Sequence, residues 1–264
     1  MKVIMLAAGI GRRLHGDDNN QLPKALLQYG GKTLLARHME CLFGNGIDEL
    51  VMVVGHRKED LLAEVEAVRE SLGAPKDFVR SIFNPRYKES ALISLSTGDE
   101  VLRSGDDVMF MDADVLYHPD VLGRLIHSSQ SNCFTLDYDF EDGDEPVKLC
   151  LRDGELIDFG KQVTDDYHTI GEWPGFMKMS PEIAAKVADA VQAHIDRGNL
   201  TAPYEDAMRD VLQSEPAGTF GFEDVTDLPW TEIDFPADAA YAEEVIHPQI
   251  LEILGEEAKA VAGS

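Results

Sequence analysis

Val3-Ile4-Met5-Leu6-Ala7-Ala8-Gly9-Ile10-Gly11-Arg12-Arg13-Leu14 opens the chain. Residues 2–7 form a short continuous apolar run, the pattern of a strand covered on both faces. The run empties into a glycine-and-arginine loop. A second basic element, Leu22-Pro23-Lys24-Ala25-Leu26, follows within a dozen residues. A buried strand that delivers glycines and then fixed cations suits a polyphosphate, because arginine forks bind phosphate oxygens in pairs and lysine adds a point charge. The loop is not a P-loop, since Gly9 lacks the Gly-Lys-Ser/Thr continuation. Nor is it a dinucleotide fingerprint, because Leu14 stands where the third glycine belongs. A plain glycine turn packing a helix on a sheet is the bland alternative, and Arg12, Arg13 and Lys24 weigh against it.

Outward from this loop the chain alternates. Apolar strands are predicted at 49–55, 78–83 and 107–111, and amphipathic helices at 33–43, 57–72 and 90–102. Strands alternating with helices up to about residue 128 mean βαβ units and a parallel sheet, whose ligands bind at the carboxyl ends of strands. The pattern then shortens. Strands are predicted at 132–140, 147–152, 155–159, 175–179 and 219–225. Asp153-Gly154 marks a tight hairpin turn. Helices are predicted at 181–197, 203–213 and 236–254. The fold class expected is α/β, Rossmann-like, with a mixed, mainly parallel central sheet flanked by helices and a small β-rich subregion. We read one domain over 1–257, with a nucleotide-binding half (1–128), an acceptor-binding half (129–257) and a flexible tail (258–264).

The chain has 264 residues, 44% of them hydrophobic, and a formal net charge of -26. A surface so acidic repels nucleic acid and anionic lipid, so neither is an expected partner. Solubility or adaptation to high salt accounts for most of the acidity. Residues 1–40 reverse the balance, with six Lys/Arg against three Asp/Glu, and a phosphate-bearing ligand explains such a basic island. Cys41, Cys133 and Cys150 have no metal-ligand spacing and read as buried free thiols in a reducing compartment. With no signal-peptide pattern and no apolar run of membrane-spanning length, the chain reads as cytoplasmic and not inserted in a membrane. The sequence admits a homodimer without specifying one.

Two acidic motifs complete the set. Asp112-Ala113-Asp114 ends a predicted strand, where carboxylates one residue apart can face a divalent cation. Asp234, in Trp230-Thr231-Glu232-Ile233-Asp234-Phe235-Pro236, precedes a helix, so N-capping competes with a ligand role. Together these motifs resemble the nucleotidyltransferases that activate sugar phosphates and alcohol phosphates. Leu6-Ala7-Ala8-Gly9-x-Gly11-x-Arg13 with Pro23-Lys24-Ala25-Leu26 matches their signature. Asn84-Pro85-x-Tyr87-x-x-Ser90 resembles the base-pocket segment of the cytidylyltransferase branch. Glu145-Pro146-Val147-Lys148, Gly160-Lys161, Gly171-Glu172-x-x-Gly175, Tyr204-Glu205-Asp206-Ala207 and Trp230-x-Glu232-Ile233-Asp234 resemble the second half of the family domain. The resemblance spans about residues 1–245 and is strongest to CTP:phosphocholine cytidylyltransferases and relatives acting on phosphonates and polyol phosphates. The chain departs from sugar-phosphate members at His15–Leu22, where they carry Thr-x-x-x-Pro-Lys, and at Ala113, where many carry glycine.

The resemblance implies a Mg²⁺-dependent transfer of CMP from CTP to a small alcohol phosphate or phosphonate, releasing pyrophosphate. Lys24, Arg13 and Lys161 are the implied catalytic cations. Leu6, Ala7, Ala8, Gly9, Gly11, Arg12, Asn84, Ser90 and Asp112 are implied to bind the nucleotide. Asp114 and Asp234 are implied to hold the metal, with Asp112 in reserve. Glu172, Trp173, Tyr204 and Trp230 are implied on the acceptor side, where aromatic faces and a carboxylate suit a quaternary ammonium. Ser90 also reads as a helix N-cap, and the aromatics also read as core. Phe83, Tyr87, Phe176 and Phe220 are assigned to the core, and His38, His56, His118 and His168 to structural or exposed positions. Two competing functions are a sugar-1-phosphate nucleotidyltransferase using UTP, dTTP or GTP, and a catalytically silent nucleotide sensor. A glycosyltransferase would need no clamp of the Lys24 kind.

Overall fold

The structure, a computed structural model, describes residues 1–16, 20–164 and 166–262, with the backbone alone for 260–262. The first half supplies strands β1 (Lys2–Ala7), β2 (Glu49–Val54), β3 (Val79–Phe83), β4 (Val108–Asp112) and the short β5 (Val115–Tyr117). The second supplies β6 (Cys133–Leu136), β7 (Lys148–Arg152), β8 (Glu155–Gly160), β9 (Thr169–Glu172), β10 (Phe176–Met179), β11 (Gly221–Asp224) and β12 (Trp230–Glu232). Seven of them form one sheet in the order β11-β6-β10-β4-β1-β2-β3. Only β10 runs against its neighbours β4 and β6, and the other pairs are parallel. The mixed, mainly parallel sheet expected from the sequence is therefore present.

The apolar run of β1 is covered on both faces, as its composition requires. Val3 and Met5 pack into one hydrophobic cluster and Ile4 into the other, all fully buried. In β2, Leu50, Met52 and Val54 join the first of these clusters, and Val51 and Val53 the second. Strict alternation onto two apolar layers is the signature of a central parallel strand between helical layers. Helices Leu34–Gly44 and Lys58–Leu72 lie on one side, and Pro181–Asp196 and Tyr204–Ser214 on the other. A separate three-stranded antiparallel sheet, β8-β7-β9, forms the β-rich subregion. Its hairpin turns at Asp153 and Gly154 with φ of 52° and 85°, the left-handed pair that an Asp-Gly turn supplies.

The helix predicted over 90–102 is broken into Ala91–Thr97 and Asp99–Leu102. Gly98 sits at the break against β1, where a Cβ would fall 2.2 Å from the Ile4 side chain. The strand predicted over 132–140 is ordered as a ladder only at Cys133–Leu136. The last helix begins at Pro236, passes through a π turn at Ala242–Ile246 and continues as His247–Ala262, beyond the end predicted at 254. Of the tail predicted from 258, residues 258–262 are helical, and 263–264 lie outside the described residues. Residues 17–19 of the departure at His15–Leu22 also lie outside them. All three cysteines are buried and free.

Candidate active site

The site is built where β1 and β4 end. Past Ala7 the backbone turns, with the His56 amide donating to the Ala8 carbonyl at 3.1 Å. Gly11 is left-handed, with φ of 73°, and opens the single helical turn Arg12–His15. A Cβ on Gly11 would lie 3.3 Å from Cγ of Lys24, so glycine here serves both the backbone angle and the approach of the lysine. Pro23 and a 3-10 turn over Lys24–Leu26 fix that lysine, with Ala25 and Leu26 anchored in the core.

The acidic side is assembled by strand pairing. β12 pairs antiparallel with β5, and the Ile233 amide donates to the Asp114 carbonyl at 2.9 Å. Ile233 is fully buried, so the period of two turns its neighbours Glu232 and Asp234 toward the cavity with Asp114. Carboxylate oxygens of Asp114, Glu232 and Asp234 lie within 4.8 Å of one another, the one such acidic group among the described residues. Hard oxygen ligands in this arrangement suit a divalent cation. The loop carrying Asp114 is pinned by His38, whose Nε2 lies 3.1 Å from the Ala113 carbonyl and whose Nδ1 lies 2.9 Å from the Tyr117 hydroxyl. Burial pushes the His38 pKa down to about 4. The ring is thus neutral, with Nε2 donating to Ala113 and Nδ1 accepting from Tyr117.

Lys24 lies between the acids. Its Nζ is 2.8 Å from Asp114 Oδ2 and 2.5 Å from Asp234 Oδ1. Burial favours the neutral amine, but Asp114 and Asp234 outweigh it and raise the Lys24 pKa above its usual range. Arg13 reaches the other oxygen of Asp234 at 2.7 Å and Glu145 at 2.9 Å, and Lys161 reaches the same Glu145 oxygen at 3.0 Å. Glu232 is open at its outer edge, yet the walls of the site, then Asp114 and Asp234, push its pKa up to about 8. Asp234 does not cap the following helix. That task falls to Asp238, which accepts from the amides of Asp234 and Phe235 at 2.9 and 2.7 Å.

Asp112 is set apart from this acidic group. Its carboxylate accepts the Tyr204 hydroxyl at 2.5 Å, and burial, then Asp114 and Glu232, raise its pKa well above the usual range. Gly175, with φ of 93°, leaves it room, since a Cβ there would come 3.0 Å from Asp112 Oδ2.

The glycine loop, Arg13, Lys24, Lys161, Asp112, Tyr204 and the carboxylates of Asp114, Glu232 and Asp234 face one cavity of about 440 Å³, a size usual for small-molecule sites. It is lined by every sequence-predicted site residue except Asn84, Glu172 and Trp230. Asn84 stands one layer behind, where it donates to Ser94, a lining residue, at 3.0 Å and accepts from the Arg86 amide at 2.8 Å. Ser90 lines the cavity and also caps helix Ala91–Thr97 through the Ile93 amide, so both expected roles are structurally compatible. Trp173 and Tyr204 line the cavity while packed on Phe110 and on each other. The Trp173 indole donates to the Phe176 carbonyl at 2.7 Å. Glu172 and Trp230 meet elsewhere, around Asp137: the Trp230 indole donates to its carboxylate at 2.7 Å, and Glu172 exchanges two backbone bonds with it.

Tyr87, assigned to the core from the sequence, packs against the edge of the core and also lines the cavity, whereas Phe83 is exposed beneath Lys58. Glu232 and Glu205 are lining residues that sequence reasoning passed over. Period-two alternation from Asp234 across a buried Ile233 was the available signal for Glu232. Glu205 had none beyond its place in a motif. It is buried, which raises its pKa.

Residues 3–168, more than half of the chain, match the MobA-like NTP transferase domain. The chain belongs to that family. The MobA-like match ends inside the β-rich subregion, but similarity to individual proteins extends further. The CMP-5'-(3-aminopropyl)phosphonate synthase of Streptomyces rubellomurinus is 28% identical over 255 residues, which cover 92% of this chain and 38% of that protein. The bifunctional IPC transferase and DIPP synthase of Rubrobacter xylanophilus is 27% identical over 245 residues, covering 92% and 51%. The chain thus spans between about two-fifths and one half of the length of these two relatives. The structure of the CTP:phosphocholine cytidylyltransferase of Streptococcus pneumoniae superposes with a TM-score of 0.72 over 92% of this chain and 98% of that one, at 23% identity. That likeness identifies the fold of this MobA-like domain as the nucleotide-diphospho-sugar transferase type.

Proposed function

We propose that the chain is a cytidylyltransferase that moves CMP from CTP to a small phosphonate or alcohol phosphate and releases pyrophosphate. The observation that carries this reading is the convergence, in one cavity, of the Gly9–Gly11 loop, Lys24 and the carboxylates of Asp114, Glu232 and Asp234. The names of the relatives, a CMP-phosphonate synthase foremost, supply the nucleotide and the acceptor class.

The acceptor's phosphate or phosphonate oxygen attacks the α-phosphorus of CTP in line. The bond to the bridging oxygen of the β-phosphate breaks, and pyrophosphate leaves with the electron pair. Such a transfer is catalysed by positioning and charge neutralisation, without a covalent intermediate. Amides from Ala8 to Gly11 cradle the phosphates. Arg13 holds the β/γ end, Lys24 neutralises charge at the α-phosphate, and Lys161 assists from the second half. Asp114, Glu232 and Asp234 fit Mg²⁺, since they already hold a stand-in cation, the Lys24 ammonium, between two of them. A Mg²⁺ held by these carboxylates would supply further neutralisation of the phosphates. Ser90 and the backbone of Ala7 and Ala8 face the base. Trp173, Tyr204 and the buried Glu205 form the acceptor wall, and a carboxylate beside aromatic rings favours an acceptor bearing an ammonium group.

A pyrophosphate-release panel tests the reading. CTP, UTP, dTTP and GTP are each paired with phosphocholine, 2-aminoethylphosphonate, glycerol and inositol phosphates, and hexose-1-phosphates. The expected activity is CTP with an ammonium-bearing phosphonate or phosphate. Release only with UTP or dTTP and a hexose-1-phosphate would overturn it, as would CTP binding with no turnover on any acceptor.

A further inference from the structure

Five charged residues that line the cavity and Glu145, outside its lining, form one unbroken alternating chain: Asp114, Lys24, Asp234, Arg13, Glu145, Lys161. Its links measure 2.8, 2.5, 2.7, 2.9 and 3.0 Å in that order. Arg13, Lys24 and Lys161 are therefore each already neutralised by a carboxylate of the protein. Two of those carboxylates, Asp114 and Asp234, belong to the acidic group. The third does not. Glu145 sits on the irregular stretch between β6 and β7, and a single oxygen of it serves both Arg13 and Lys161.

We propose that Glu145 is an internal counter-ion of the substrate-free site: its carboxylate occupies the place of a substrate phosphate oxygen on Arg13 and Lys161, and it is expelled when the nucleotide enters. The inference rests on the assignment of Arg13 and Lys161 to phosphate under the proposed function. Three observations support it. The first is valence. A carboxylate shared by one guanidinium and one ammonium reproduces the contacts that an oxygen of a phosphoryl group would make. The second is exposure. The Glu145 side chain is 59% exposed, whereas Lys24 and Asp234 are 14% and 11% exposed. Exposed ion pairs hold weakly, so Glu145 is the link in the chain that yields first, and a triphosphate outbids it in charge. The third is mechanical. Lys148, at the start of β7, holds Asp142 at 3.1 Å and also the Gly143 carbonyl. The stretch thus keeps its own anchor when Glu145 lets go. Lys161, then Arg13, hold the Glu145 carboxyl below its usual pKa, so it is ionised wherever the enzyme would work.

The test is CTP binding by isothermal titration calorimetry, with Mg²⁺ and without acceptor, to wild type and Glu145→Gln. The variant is expected to bind CTP roughly three- to tenfold more tightly, the size of one or two exposed ion pairs, with the difference shrinking at high salt. Equal or weaker CTP binding by the variant, with wild type binding normally, overturns the inference and leaves the proposed function standing. So does a raised acceptor KM with CTP affinity unchanged, which would make Glu145 an acceptor ligand. A wild type that does not bind CTP overturns both.

Discussion

Lys24 is held by the same carboxylates that are suited to a divalent cation, and this sets what its loss would do. Under the proposed function, Lys24→Ala removes a preorganised charge from the α-phosphate, which should lower kcat on the order of 10²-fold, about 3 kcal/mol in the barrier. Steady-state pyrophosphate release with saturating CTP checks this, and near wild-type turnover would refute the role. At this scale the sequence was informative wherever chemistry needs a fixed spacing. Gly9, Gly11, Arg13, Lys24, Asp114 and Asp234 all line the cavity in which the structure joins them. It was less informative where a side chain's direction depends on the register of a short strand. Glu232 faces the cavity because the three-residue β12 pairs with β5, and its one signal in the sequence was the alternation with Ile233 and Asp234. Glu172 and Trp230 share motifs with lining residues but turn to Asp137 instead. A motif gives neighbours along the chain, not the face each one takes.

Between elements, the second half of the chain depends on a few buried polar joints. Asp158 in β8 is fully buried and takes both arms of the Arg209 guanidinium at 2.6 and 2.8 Å, with Gln213 at 2.8 Å. Arg209 and Gln213 lie on helix Tyr204–Ser214, which carries Tyr204 and Glu205 to the cavity. Asp158→Ala leaves these donors unpaired and should cost about 3 kcal/mol, read as a lower urea midpoint at unchanged slope. Glu172 gives a pH effect of known sign. Burial, then Asp137, push its carboxyl from the ordinary 4.5 up to about 7. Folded protein therefore keeps this proton where the unfolded chain has lost it, and stability falls as pH rises from about 4.5 to 7. Glu172→Gln should gain stability relative to wild type between pH 5 and pH 8, on the order of 1–2 kcal/mol. Urea denaturation at the two pH values checks this, and a constant difference would contradict it. Long amphipathic helices and the buried strands β1, β2 and β4 were legible because their apolar periods run for whole elements. The break at Gly98 was not, since it answers to a contact with Ile4 on another element.

Across the whole molecule, the two halves meet at one cavity. The first half brings the glycine loop, Lys24 and Asp114, and the second brings Lys161, Tyr204, Glu205, Glu232 and Asp234. Within a chain of net charge -26, two cations of the basic island, Arg13 and Lys24, reach acidic residues of the second half, whereas Lys2 and Lys32 pair with carboxylates of the first half. Fold class followed from the order of strands and helices. The antiparallel insertion of β10 between β4 and β6 did not, because pairing partners are set by tertiary packing and leave no local mark. Phosphorus NMR of the protein with Mg²⁺, CTP and 2-aminoethylphosphonate tests the central claim most directly. The account predicts pyrophosphate together with two mutually coupled resonances of a phosphonate–phosphate anhydride. CTP and phosphonate left unchanged, while dTTP or UTP is consumed with a hexose-1-phosphate, would contradict it.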